Sequence, residues 1–158
     1  MRQKSSFYLY GRVIFVLLFL GQALAEEPFL FVAREDGSSL YQISLKESSC
    51  WMLRWNHSVT GITVTDYYCF IGGQMLLTDS HTPAFDAGLG HIPGRGVQAS
   101  DGHGGYFIYD INEAVKDNTY ILRVGSMKVN HRIEHEGKLY SLSALVEHER
   151  VSISVVLQ

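Results

Sequence analysis

Ten short runs rich in aromatic and β-branched residues, separated by Gly, Asn, Asp and Pro, constrain this chain more than any other feature. They fall at 29–32, 40–45, 50–56, 62–71, 75–78, 106–111, 120–124, 128–134, 138–145 and 150–157. Runs of this length and chemistry read as strands. Asp36-Gly37, Gly72-Gly73, Asp117-Asn118, Gly125-Ser126 and Glu136-Gly137 supply the turns between them. Only 112–115 looks able to form a helical turn, and no long helical period exists, which argues against a parallel α/β fold. The expected fold is all-β: an antiparallel β-sandwich or partly open barrel. One long Gly/Pro-rich loop, 79–105, interrupts the pattern with Pro83, Pro93 and seven glycines. Its apolar residues Phe85, Leu89, Ile92 and Val97 suggest that part of it packs on the body.

The first 25 residues have a different character. Arg2, Lys4 and Arg12 precede an apolar run at 13–20, and Ala23-Leu24-Ala25 then gives a small-x-small site. The run is about half the roughly 20 residues that a membrane span requires. A cleavable signal peptide over 1–25 is therefore expected, with an uncleaved N-terminal anchor as the alternative. Residues 26–158 are then expected to form a single β domain in the periplasm, reaching a membrane only through partners or an uncleaved signal.

Thirteen Lys and Arg stand against sixteen Asp and Glu in the full chain, and three of the basic residues lie in that first segment. The remainder thus carries ten basic and sixteen acidic residues, a formal charge of −6. No basic stripe is present, so nucleic acid is not expected as a partner.

Both cysteines fall in the exported part, where conditions favour a disulfide. A hairpin turning at Val59-Thr60 would pair residues whose numbers sum to 119, which sets Cys50 opposite Cys69, Trp51 opposite Tyr68 and Trp55 opposite Val64. Counting outward from a two-residue loop makes Cys50–Cys69 a hydrogen-bonded pair, about 5.5 Å between Cα atoms. That spacing is compatible with a disulfide. The turn chemistry is poor, because both turn residues are β-branched and a primed turn needs positive φ.

The seven histidines His57, His81, His91, His103, His131, His135 and His148 are dispersed, without helical zinc spacing or Cys-x-x-Cys. His131 with His135 is one pair that strands could bring together. Ser58 beside His57 is sequence adjacency only, since strand neighbours face opposite sides. No nucleophile elbow is present, and the glycines of 88–94 match neither phosphate-binding spacing. The pattern calls for no cofactor. Two clusters stand out. Trp55 and His57 share one strand face, with Asp66 nearby across the hairpin, as core or as the rim of an apolar pocket. Gly88, Gly90 and Arg95 offer close backbone approach and a bidentate guanidinium.

Trp55-x-His57-Ser58-Val59, Asp66, the stretch Phe85-Asp-Ala-Gly-Leu-Gly-His-Ile-Pro93 and the ending His131-Arg132-Ile133 together resemble a bacterial family defined only as a domain of unknown function (DUF1850). Its members are typically encoded beside, and sometimes fused to, TAXI-type tripartite (TRAP) transporters. Asp66, where glutamate is commoner, and Leu89, where a small residue is usual, depart from the pattern. The resemblance implies a non-catalytic accessory or binding module of a TAXI-type TRAP uptake system. TRAP transporter components are the implied partners and a small solute a further one. Trp55, His57, Ser58, Asp66, Gly88, Gly90 and Arg95 are the candidate binding residues. The alternative is a metal-assisted hydrolase using His57, Asp66 and His91.

Overall fold

The computed structural model of the chain describes residues 26–84 and 94–158. Among the described residues, twelve strands and one 3₁₀ turn follow in order: β1 (Pro28–Arg34), β2 (Ser39–Ser44), β3 (Cys50–Asn56), β4 (Thr63–Ile71), β5 (Gln74–Thr82), β6 (Val97–Ser100), β7 (Tyr106–Tyr109), β8 (Glu113–Ala114), the turn Lys116–Asn118, β9 (Thr119–Arg123), β10 (Arg132–His135), β11 (Lys138–Ser141) and β12 (Arg150–Leu157). They form two antiparallel sheets. One has the order β2-β1-β12-β9; the other runs β11-β10-β3-β4-β5-β7-β6, with β8 beside β5. Neither sheet closes on itself. The fold is an all-β sandwich.

Alternation explains the packing. Along β12, Val151, Ile153 and Val155 are buried and their neighbours are not, the period of two expected of a strand with one covered face. Leu30 and Val32 of β1 and Ile43 of β2 join them from the same sheet. Trp51 and Leu53 of β3, Tyr68 of β4, Met75 of β5 and Ile133 of β10 close the core from the other. The four-stranded sheet is held by β12, which pairs with β1 over seven positions and with β9 over five.

The β3–β4 hairpin keeps the predicted register, with Cys50 opposite Cys69 and Trp55 opposite Val64. Its turn does not match the expected one. The His57 amide donates to the Ile62 carbonyl (2.7 Å) and the Gly61 amide to the His57 carbonyl (2.8 Å), so the loop is 58–61. Gly61 takes the positive φ (74°) that Val59 and Thr60 avoid. Opening the turn by one residue on each strand preserves every partner but inverts the hydrogen-bonding phase. Cys50–Cys69 is therefore a non-hydrogen-bonded pair, with Cα atoms 4.0 Å apart, and carries a disulfide.

Three further expectations are revised. The long loop is shorter than 79–105, because β5 runs to Thr82 and β6 occupies Val97–Ser100; 85–93 lie outside the described residues. The helical turn expected at 112–115 falls instead at Lys116–Asn118, since Glu113 and Ala114 pair with Leu77 and Leu76. The strand expected from 128 begins at Arg132. Its missing residues form a turn whose Val129 and Lys128 carbonyls accept from the Asn56 amide (2.6 Å) and side chain (3.2 Å).

The disulfide spans 19 residues of sequence, a separation for which constraint of the unfolded chain stabilises by about 3 kcal/mol. The double substitution Cys50→Ser/Cys69→Ser is expected to lower the urea unfolding free energy by about that amount while leaving the far-ultraviolet circular dichroism β-like.

Candidate functional site

The residues singled out in the sequence go to three places. Trp55 lies on the inner face of β3, partly buried against the core and stacked on His131 at 6.2 Å. His57 braces its own turn: Nδ1 lies 3.3 Å from the Thr60 amide, which donates to it, and 3.1 Å from the Thr60 hydroxyl. Ser58 is exposed on the loop. Asp66 pairs with Leu53 in mid-strand, four residues beyond the partner of His57, or ~13 Å along β4 at ~3.3 Å per residue. His57 and Asp66 therefore sit apart along the hairpin. Gly88, Gly90 and His91 lie outside the described residues.

Asp66 is bound by Ser80 and lies within electrostatic reach of Arg95. The Ser80 hydroxyl donates to Asp66 Oδ1 at 2.7 Å. Burial raises the Asp66 carboxyl above its usual range, opposed by the Ser80 hydrogen bond and the Arg95 charge. Arg95 itself donates from Nε and Nη2 to Glu113 Oε2, both at 2.7 Å. Beside this cluster Trp51 stacks on Tyr68 (5.8 Å) and Tyr68 on Tyr120 (5.2 Å). Trp51 Nε1 and the Tyr120 hydroxyl are neighbours, yet neither meets hydrogen-bonding geometry with any described residue. Burial pushes both tyrosine hydroxyls well up. This interior disfavours ionisation of the Asp66 carboxyl.

His131 and His135 are structural. The Gly125 amide donates to His131 Nδ1 at 2.9 Å, and the Ser143 hydroxyl bridges the His131 amide and the Gly125 carbonyl. His135 Nδ1 lies 3.0 Å from the Cys50 carbonyl, to which it donates. Among the described residues, no three His, Cys, Asp or Glu side chains are placed to hold a metal ion.

An open aromatic surface occupies the other side of the same strands. It is built by a bulge. Tyr67 faces Asp79 and Tyr68 faces Leu77, which leaves Thr78 as an extra residue in β5. The Thr78 hydroxyl donates to the Tyr67 carbonyl (3.2 Å) and the Ile111 amide to the Thr78 carbonyl (2.8 Å). The extra residue reverses the facing of everything after it. Ser80 consequently points inward to Asp66, while Asp79 and His81 point outward. On that outer face His81 stacks on Phe107 at 4.2 Å, and Phe107 on Tyr109 at 5.0 Å. Tyr67, Asp79, Phe107 and Tyr109 line one shallow depression of about 260 Å³. A second, of about 280 Å³, adjoins it over Met52, Tyr67 and the Cys50–Cys69 disulfide, with Asp79, Glu134 and Glu136 at its rim. Arg54 pairs with Glu134 at 2.7 Å. Val97 (61% exposed) and Leu139 (63%) extend the same face at its two ends.

The His81 end is fixed by Asp101. Its carboxylate accepts from the His103 and Gly105 amides (2.8 and 2.9 Å) and lies 3.0 Å from His81 Nε2. The His81 contact first, then the amides, hold it down at about 2. A floor of flat rings and a disulfide with carboxylates at the rim suits contact with an apolar or aromatic group, one bearing positive charge above all. The sequence reading did not single out this face, because its aromatic residues resemble core residues. The available signal was a failure of alternation. Tyr106-Phe107-Ile108-Tyr109 and Tyr67-Tyr68-Cys69-Phe70-Ile71 are apolar on both strand faces, where a singly covered sheet should show polar residues at every second position.

Fold and site together define an antiparallel β-sandwich with an aromatic outer face. The chain belongs to the family described as Domain of unknown function (DUF1850), whose model matches residues 52–142, the span from β3 to just beyond β11. No curated protein and no solved structure matches the chain.

Two substitutions test the polar interior. Because burial raises the Asp66 carboxyl above its value in the unfolded chain, ionisation opposes folding, and stability falls as pH rises through the folded value. Asp66→Asn, which keeps an acceptor for Ser80, is expected to unfold at a higher temperature than the natural protein at pH 7. His131 is pushed down to about 4 by burial, against about 6.5 in an unfolded chain. Its contribution is complete above about pH 6.5 and is lost as pH falls towards 4. Thermal unfolding should show that decline, flattened in His131→Asn, where a non-titrating acceptor meets the Gly125 amide.

Proposed function

We propose that this protein is an exported, non-catalytic binding module of a TAXI-type TRAP solute uptake system, working in the periplasm after removal of residues 1–25. The observation that carries the binding reading is the outer face of the eight-stranded sheet. Its stacked His81, Phe107 and Tyr109 and the adjoining Tyr67–Met52–disulfide floor are left uncovered by the four-stranded sheet. Contiguous apolar residues on an uncovered sheet face favour use as an interaction surface, and aromatic side chains dominate the energetics of such contacts. The family assignment and the transporter association of similar chains supply the partner. The Cys50–Cys69 disulfide suits an oxidising compartment. On this reading the aromatic face makes the contact, while Asp66, Ser80 and Arg95 shape the strands that present it.

The test is capture of the transporter components from native envelopes by the tagged protein. Phe107→Ser/Tyr109→Ser is expected to reduce capture at least tenfold, in keeping with the loss of interface aromatics, with the thermal unfolding midpoint little changed. Ile121→Ser, at an exposed position of the other sheet, should capture normally. Full capture by the double variant, with loss in His57→Ala, would transfer the contact to the 58–61 loop.

A further inference from the structure

The four sheet edges are not protected alike. β11 carries Lys138, β9 carries Arg123, and β2 pairs with β1 across an irregularity between Val32 and Ala33. Charges and bulges of this kind discourage edge-to-edge pairing. β6 has none of them: Val97-Gln98-Ala99-Ser100 contains no charge and no proline, and all four residues are exposed. Among the described residues it pairs on one side only, with β7.

The phase of that pairing can be read. Val97 faces Tyr109 and Ala99 faces Phe107, and in the same register the Asp101 amide donates to the Gly105 carbonyl at 3.1 Å. Asp101–Gly105 is thus a hydrogen-bonded pair, and by alternation so are Ala99–Phe107 and Val97–Tyr109. The backbone groups of Gln98 and Ser100 therefore point away from the sheet. A ligand for them must present two amides and two carbonyls at strand spacing, and β6 of another copy does so.

We infer that two copies of this chain associate through β6, antiparallel about a two-fold axis at Ala99, joining their eight-stranded sheets edge to edge. In that register Gln98 of each copy faces Ser100 of the other, and all four outward backbone groups are paired. Ala99 faces Ala99 in a non-hydrogen-bonded pair, where the smallest side chain suits the closest approach. The contact is isologous, so it closes at two copies rather than propagating. Val97 and the Phe107–Tyr109 stack of both copies become one apolar surface across the junction. That continuity selects this register over a slip by one residue, which would send the two apolar faces to opposite sides. The inference is independent of the transport reading.

A position-specific crosslink tests it. Cα atoms of a non-hydrogen-bonded pair lie about 4.5 Å apart, within disulfide range, and the native cysteines are already joined. Full-length Ala99→Cys, purified under oxidising conditions, is expected to give a covalent dimer on non-reducing gels. Val97→Cys, which faces Asp101 in this register, should crosslink at least tenfold less. Sedimentation velocity of the natural chain should show concentration-dependent dimerisation. Gln98→Pro, which removes an outward amide and spares the bonds to β7, should abolish it, and so should Ala99→Lys, which sets like charges opposite each other. Retained circular dichroism in these variants separates a lost interface from a lost fold. A natural chain that stays monomeric at the highest attainable concentration, or equal crosslinking from both cysteine positions, overturns the proposal.

Discussion

Pairing of β3 with β4 decides which side of the molecule every important side chain occupies. The disulfide at one end and the Gly61 turn at the other fix seven successive partners. Given that register, Trp51, Leu53 and Trp55 must point to the core and Met52 and Arg54 to the outside. A slip of one residue would exchange the two sets and put two tryptophans in water. The Thr78 bulge works within this frame. It adjusts the facing of β5 so that Ser80 meets Asp66 inside while Asp79 and His81 reach the surface. Core, polar interior and aromatic face are three consequences of one register and one inserted residue.

Much of this was legible beforehand. The strand runs, the antiparallel sandwich and the Cys50–Cys69 pairing follow from alternation and turn chemistry, which act locally. What was not legible is what depends on groups distant in sequence. The turn at 58–61 opened because two β-branched residues could not take positive φ, and Gly61 was the nearest residue that could. The strand before Arg132 gave way to a turn because Asn56, more than seventy positions earlier, took its carbonyls. Asp66 and Arg95 were both noted as polar groups, but their proximity needed the bulge and the position of β6. The aromatic face went unread for a different reason. Its residues resemble core residues, and its trace in the sequence is the loss of alternation in 67–71 and 106–109.

The interior around Asp66 is an expensive arrangement. A carboxylate is held among Trp51, Tyr68 and Tyr120, with one hydroxyl donor and a guanidinium already engaged by Glu113. An apolar residue at that position would fill the sandwich at lower cost. Arg95 is held to the sheet by Glu113 of β8, and its charge partly offsets the cost of burying Asp66. The polar cluster and the outer face are thus linked through Arg95, Ser80 and the strands between them.

β1 and β12 lie side by side over their whole length, and the Glu27 and Gln158 backbones bond reciprocally beyond them. A strand formed near the beginning of the chain thus waits for one made more than a hundred residues later. Until 150–157 are available the smaller sheet has no centre, and Leu30 and Val32 lack their cross-strand partners Val155 and Ile153. Assembly is therefore a single late event rather than a progressive one, with a slow search for distant partners as its entropic cost. The centre of the smaller sheet therefore cannot close before both of these strands are available.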